Sequence, residues 1–167
     1  MSITSLAIPL FTISSPANAA GTALTLEISG GALSISAPAT ADLGIATANS
    51  AGSEISTQIG EITVTDNRAA AAGSGWIASA ISTALTPTAG PALAASLIAY
   101  TVGTVAETGT VTCTNNDPTN LIGVSPVVTA TGITGSNSAT WNPTLTVTIP
   151  GSYVAGTYTG SITHSVL

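Results

Sequence analysis

The run TLTVTIP, residues 144–150, constrains this chain more than any other stretch. Drawn as a strand, it places Leu145, Val147 and Ile149 on one side and Thr144, Thr146 and Thr148 on the other. A helix would scatter the same residues around its circumference. Runs of this kind recur at ALTLEIS (23–29), ALSISA (32–37), EITVTD (61–66), GTVTCT (109–114), SPVVTAT (125–131) and GTYTGSITHSVL (156–167). Each describes a strand with one buried and one wet face, and threonine suits the wet face because it is both β-branched and polar. Gly, Asn, Asp and Pro separate the runs, as in ISGGAL, TNNDPTN and TGSNSATWNP. Many short strands with closely spaced turn signals predict an all-β, antiparallel β-sandwich of Ig-like or Greek-key type. The stretch 79–100 is the exception. Its alanines leave room for one short helical turn around 91–97, while Pro87 and Pro91 discourage a long helix.

Charge narrows the functional classes. The 167 residues carry a single arginine, no lysine, seven acids and one histidine, a net charge of −6. Only 5% of residues are charged, against about 25% in ordinary soluble domains. Solubility must rest on hydroxyls and amides, which suits an extracellular or assembled surface. No basic patch for nucleic acid or anionic lipid can be built. A phosphate-binding P-loop and lysine isopeptide crosslinks both need the lysine that is missing. The hydrophobic fraction of 44% is enough for a core.

Residues 1–19 are expected to be a signal-peptide remnant or N-terminal arm. They have an apolar middle and end in Ala17-Asn18-Ala19, an A-x-A cleavage pattern, and Pro9 makes a membrane span unsuitable. Residues 20–167 then form one domain, expected to be secreted. Cys113 has no partner for an intramolecular disulfide and reads as a small strand residue.

The chemistry-bearing residues are sparse. His164 is the only histidine, without a G-x-S-x-G nucleophile motif, and fits a structural role on an apolar face. The carboxylates Glu27, Asp42, Glu54, Glu61, Asp66, Glu107 and Asp117 are scattered, one per strand or turn, which argues against a hydrolase. Asp117, in TNNDPTN, is the one place where oxygen ligands crowd, and an Asx turn explains it better than calcium. The chain therefore reads as non-catalytic, with no metal and no cofactor.

Arg68 stands out in VTDNRAAAAGSGWIAS, residues 64–79. Asp66 and Arg68 lie two apart, so a strand puts them on one face. Asp66, Arg68 and Trp76 are expected to form a structural clamp. In it the guanidinium pairs with the carboxylate or packs on the indole, tying the small-residue loop 67–75 to the sheet.

The segment GEITVTDNRAAAAGSGWIAS resembles the first half of the WxL-type cell-surface domain of Gram-positive bacteria, in which a V-x-D-x-R strand leads through a Gly-rich loop to G-W-x-L. ATWNPTLTVTIPGSYVAGTYTGSITHSVL resembles its second half, which ends G-T-Y-x-x-x-L-T-W-x-L. Matching positions are Val64, Asp66, Arg68, Gly75, Trp76, Gly156, Thr157, Tyr158, Ile162 and Thr163. Ala78 replaces the leucine of the first W-x-L; His164 and Val166 replace the tryptophan and leucine of the second. Tyr158, Ile162, His164 and Val166 are expected on one face of a single final strand. The resemblance implies a β-sandwich that associates noncovalently with the cell wall or with surface proteins. Solvent-facing threonine and serine sheet faces and the loops 67–75, 115–123 and 135–143 are the candidate contact surfaces, and Trp141, in NSATWNP, is the candidate exposed aromatic for stacking on a sugar or partner. The rival reading is a self-assembling subunit of a fibre, pilus or surface layer, with the terminal strand 156–167 and the apolar arm 3–13 each able to add to a neighbour's sheet edge.

Overall fold

The computed structural model describes residues 22–167, so the N-terminal arm or signal remnant at 1–19 lies outside the described residues. The strands are β1 (Leu33–Ser36), β2 (Ser53–Gln58), β3 (Ile62–Ser82), β4 (Thr86–Pro87), β5 (Ile98–Thr101), β6 (Val105–Asn115), β7 (Ser125–Trp141), β8 (Thr144–Ile149), β9 (Tyr158–Thr159) and β10 (Ile162–Val166). Every pairing is antiparallel. A five-stranded sheet runs β6–β7–β3; on its far side β1 takes the N-terminal half of β3 and β10 the C-terminal half. A second sheet, β2–β8–β5, packs against it, and β4–β9 forms a small third pair. The molecule is an all-β sandwich, as the alternation predicts.

β3 and β7 determine its shape. β3 has 21 residues, which would span about 70 Å if straight, far more than a domain of this size can hold. It folds over instead. The register of β3 on β7 slips between Asp66 and Ala70, between Ala70 and Ser74, and between Ser74 and Trp76. β6 slips against β7 at the same level, between Thr108 and Thr112. Positive φ angles at Ala69 (53°) and at Gly135 (72°), the cross-strand partner of Ala70, mark the bend. As a result Ile62 and Ser82, at opposite ends of β3, line the same cavity of about 290 Å³. β1 and β10 also meet each other. The core between the folded sheet and β2–β8–β5 holds Trp76, Trp141, Tyr100, Ile62 and Ile98 as its largest side chains.

Several expectations need correction. The loops 67–75 and 135–143 lie largely inside β3 and β7. Small residues that read as turns are what lets a strand bulge and fold over. Residues 116–124 do form a loop. ALTLEIS (23–29) is not paired as a strand; it is exposed throughout. The final run is broken at Gly160 and Ser161 into β9 and β10. The helical turn is a single 3-10 turn at Ala95–Leu97. β2 and β5 were not visible as runs: SEISTQ has one apolar residue, and IAYT is hidden in the alanine-rich stretch.

Candidate functional site

The single arginine is fixed in place. Arg68 donates from Nε to Asp66 Oδ1 and from Nη2 to Asp66 Oδ2, both at 2.9 Å, a bidentate fork. Nη2 also reaches the Gly75 carbonyl at 3.2 Å, so one guanidinium joins both ends of the β3 bulge. Asp66 is fully buried and also accepts the Arg68 N–H and the Asn137 amide. Asn137 Oδ1 in turn accepts the Trp76 indole N–H at 3.1 Å. Of the two arrangements open to Arg68, the pairing with Asp66 is present, and Trp76 is reached through Asn137. The Arg68 guanidinium holds the Asp66 carboxyl at about 2, against an ordinary 3.8, with the backbone bond and Asn137 assisting against burial. Gly75 is required by contact: a Cβ there would lie 2.6 Å from the Ala130 carbonyl oxygen.

The two W-x-L-like segments lie side by side. β10 pairs with the end of β3 so that Val166 faces Ala78 and His164 faces Ala80, and Ile77 and Leu167 exchange backbone hydrogen bonds. Trp76 and Ala78 point into the core, as do, in part, Ile162, His164 and Val166. Tyr158 does not join them. It lies on β9 against Pro87, with its ring 6.4 Å from that of Tyr153.

Trp141 is not an exposed platform. It is 2% exposed, because it ends β7 on the core face opposite Ile62. Its indole N–H donates to the Tyr100 hydroxyl at 2.9 Å, and that hydroxyl lies 3.3 Å from His164 Nε2. The chain of bonds is complete when His164 is neutral with Nε2 unprotonated. Burial lowers the His164 pKa to about 4 and raises that of the Tyr100 phenol.

Three of the remaining acids hold backbone N–H groups. Asp117 accepts the Val102 N–H at 2.7 Å, Asp42 the Gly44 N–H at 2.8 Å and Glu107 the Cys113 N–H at 2.6 Å. The Cys113 thiol is pushed up to about 12 by burial and by Glu107. Among the described residues no three His, Cys, Asp or Glu side chains converge.

The feature left for recognition is a surface. The outer face of β2–β8–β5 carries Glu54, Ser56 and Gln58 opposite Thr148, Thr146 and Thr144, with Ala99 and Thr101 in the next row. Alternation sends Ile55, Leu145, Val147, Ile98 and Tyr100 inward and leaves these groups facing out. Ser56 and Thr146 share a hydrogen bond of 2.8 Å. The result is an array of hydroxyls and an amide with one charge at its margin. The outward threonines of TLTVTIP mark this face in the sequence, but two of the sheet's three strands, β2 and β5, do not stand out as runs. Compared with family models, curated proteins and solved structures, the chain matches none.

Proposed function

We propose that this is a non-catalytic, secreted cell-surface module, WxL-like in kind, that associates noncovalently with the bacterial cell wall. The observation that carries the reading is the hydroxyl lattice on the outer face of β2–β8–β5. Its groups repeat about every 4.8 Å across strands and about every 6.7 Å along them. A wall polymer is itself an extended array of hydroxyl and amide groups, so such a face can exchange hydrogen bonds with it in register. The matching positions Val64, Asp66, Arg68, Gly75 and Trp76 support the WxL-like assignment, and the two W-x-L-like segments pair with each other. Because those segments are turned inward, the contact surface is assigned to the sheet instead.

The test is wall binding by the full chain with Ser56→Ala and Thr146→Val combined. Each hydrogen bond contributes about 1 kcal/mol net, so the pair should weaken binding by roughly tenfold or more. Both side chains point outward, so the melting temperature should stay close to wild type. Unchanged wall affinity would remove this face from the account.

A further inference from the structure

Residues 22–29 have the composition of a strand and, among the described residues, pair with no sheet. The chain is anchored just after them, where the Gly31 N–H donates to the Asn67 carbonyl at 2.6 Å and β1 begins. Before that point Leu24, Leu26 and Ile28 are 91%, 83% and 80% exposed. In extended chain all three fall on one side, with Thr25, Glu27 and Ser29 on the other. One exposed leucine is ordinary; three in strand register are an apolar face that nothing among the described residues covers.

The sheet edges differ in what they can accept. The edge of β5 is closed by the loop 116–124 between β6 and β7: Tyr100 N–H donates to the Pro118 carbonyl and Val102 N–H to Asp117, while Leu121 N–H donates to the Ala95 carbonyl. The edge of β6 is blunted by the Glu107 carboxylate, which takes the Cys113 N–H. β1 and β10 are only four and five residues long. β2 is different. Among the described residues, the backbone of 54–58 bonds only to β8. The hydroxyl of Ser53, where β2 starts, is buried without a partner. Beside β2 opens a groove of about 580 Å³ between residues 41–49 and 150–160, with Ile55, Leu85, Leu93, Val147 and Ile149 among its lining.

We propose that residues 22–29 are a docking strand for a second copy of this chain: they add to the free edge of β2 and place Leu24, Leu26 and Ile28 in the adjoining groove. Backbone pairing supplies the affinity, and the alternate apolar side chains set the register. The one charge in the segment, Glu27, faces away from the groove. Every copy carries both donor and acceptor, so the contact serves a reciprocal dimer or a head-to-tail chain equally. This assembly uses the edge and inner side of the sheet, and it is independent of wall binding by the outer face.

Sedimentation of the full chain across a concentration series tests it. Wild type should rise from monomer mass to a dimer or larger, and the doubly substituted Leu26→Ser/Ile28→Ser chain should stay monomeric with the melting temperature of dilute, monomeric wild type. A synthetic ALTLEIS peptide should dissolve the assembly, and the same peptide N-methylated at alternate residues should not. Hydrogen exchange at residues 53–58 should slow by about tenfold on association. A wild-type chain that remains monomeric, a variant that associates equally well, or protection that appears at β6 or β10 in place of β2 would each overturn the proposal.

Discussion

Replacing Arg68 by alanine leaves the Asp66 carboxylate buried with only Asn137 and a backbone N–H for company. Breaking a buried pair from one side costs up to about 3–5 kcal/mol, and because the guanidinium itself is partly exposed we expect roughly 2 kcal/mol for Arg68→Ala in urea unfolding. Arg68→Lys should recover less than half, since an ammonium cannot form the fork or span to Gly75. An unchanged unfolding midpoint in Arg68→Ala would sink the clamp. Acid should act in two stages. His164 ionises near 4 when folded and near 6.5 when unfolded, so the unfolded chain binds the extra proton and stability falls as pH drops from about 6.5 to 4. Asp66 ionises near 2 when folded and 3.8 when unfolded, so its contribution of roughly 2 kcal/mol is complete above about pH 4 and is lost toward pH 2. His164→Gln should flatten the first stage and leave the second; a pH profile identical to wild type would contradict the Tyr100–His164 assignment. The Asp66–Arg68 pair was legible because two residues on one strand share a face. Asn137 was not, because it meets Asp66 from 71 positions away and sits in a stretch that reads as a turn.

The fold-over of β3 and β7 depends on a backbone that most residues resist. Gly135, at φ 72°, lies on the bend, and a β-branched residue there is strained wherever its side chain points. Gly135→Val should cost about 1–3 kcal/mol, measured by thermal unfolding, although nothing lies within 4 Å of an added Cβ. A neutral result would mean that the bend does not rest on that conformation. The alternating runs gave the strands of both sheets where one face is buried, as in TLTVTIP. They could not show that EITVTD and WIAS are one strand, because glycine and alanine mark a turn and a bulge equally well. They also overread ALTLEIS, since periodicity shows which face a strand would bury and not whether a partner exists.

At the scale of the whole molecule, one cation is locked to a buried acid and the exterior is left to hydroxyls, amides and scattered carboxylates. Composition foretold such a surface; which sheet presents it depended on β2 and β5, neither of which stands out in the sequence. Contacts made by hydroxyl exchange have little to lose to screening, whereas attraction between charges weakens as the Debye length falls to about 3 Å at 1 M salt. The measurement that bears most directly on the account is binding of the full chain to washed bacterial cell walls at low and at high salt. Saturable binding that changes less than about twofold between the two conditions is expected. No binding at low salt, or binding abolished at high salt, would contradict it.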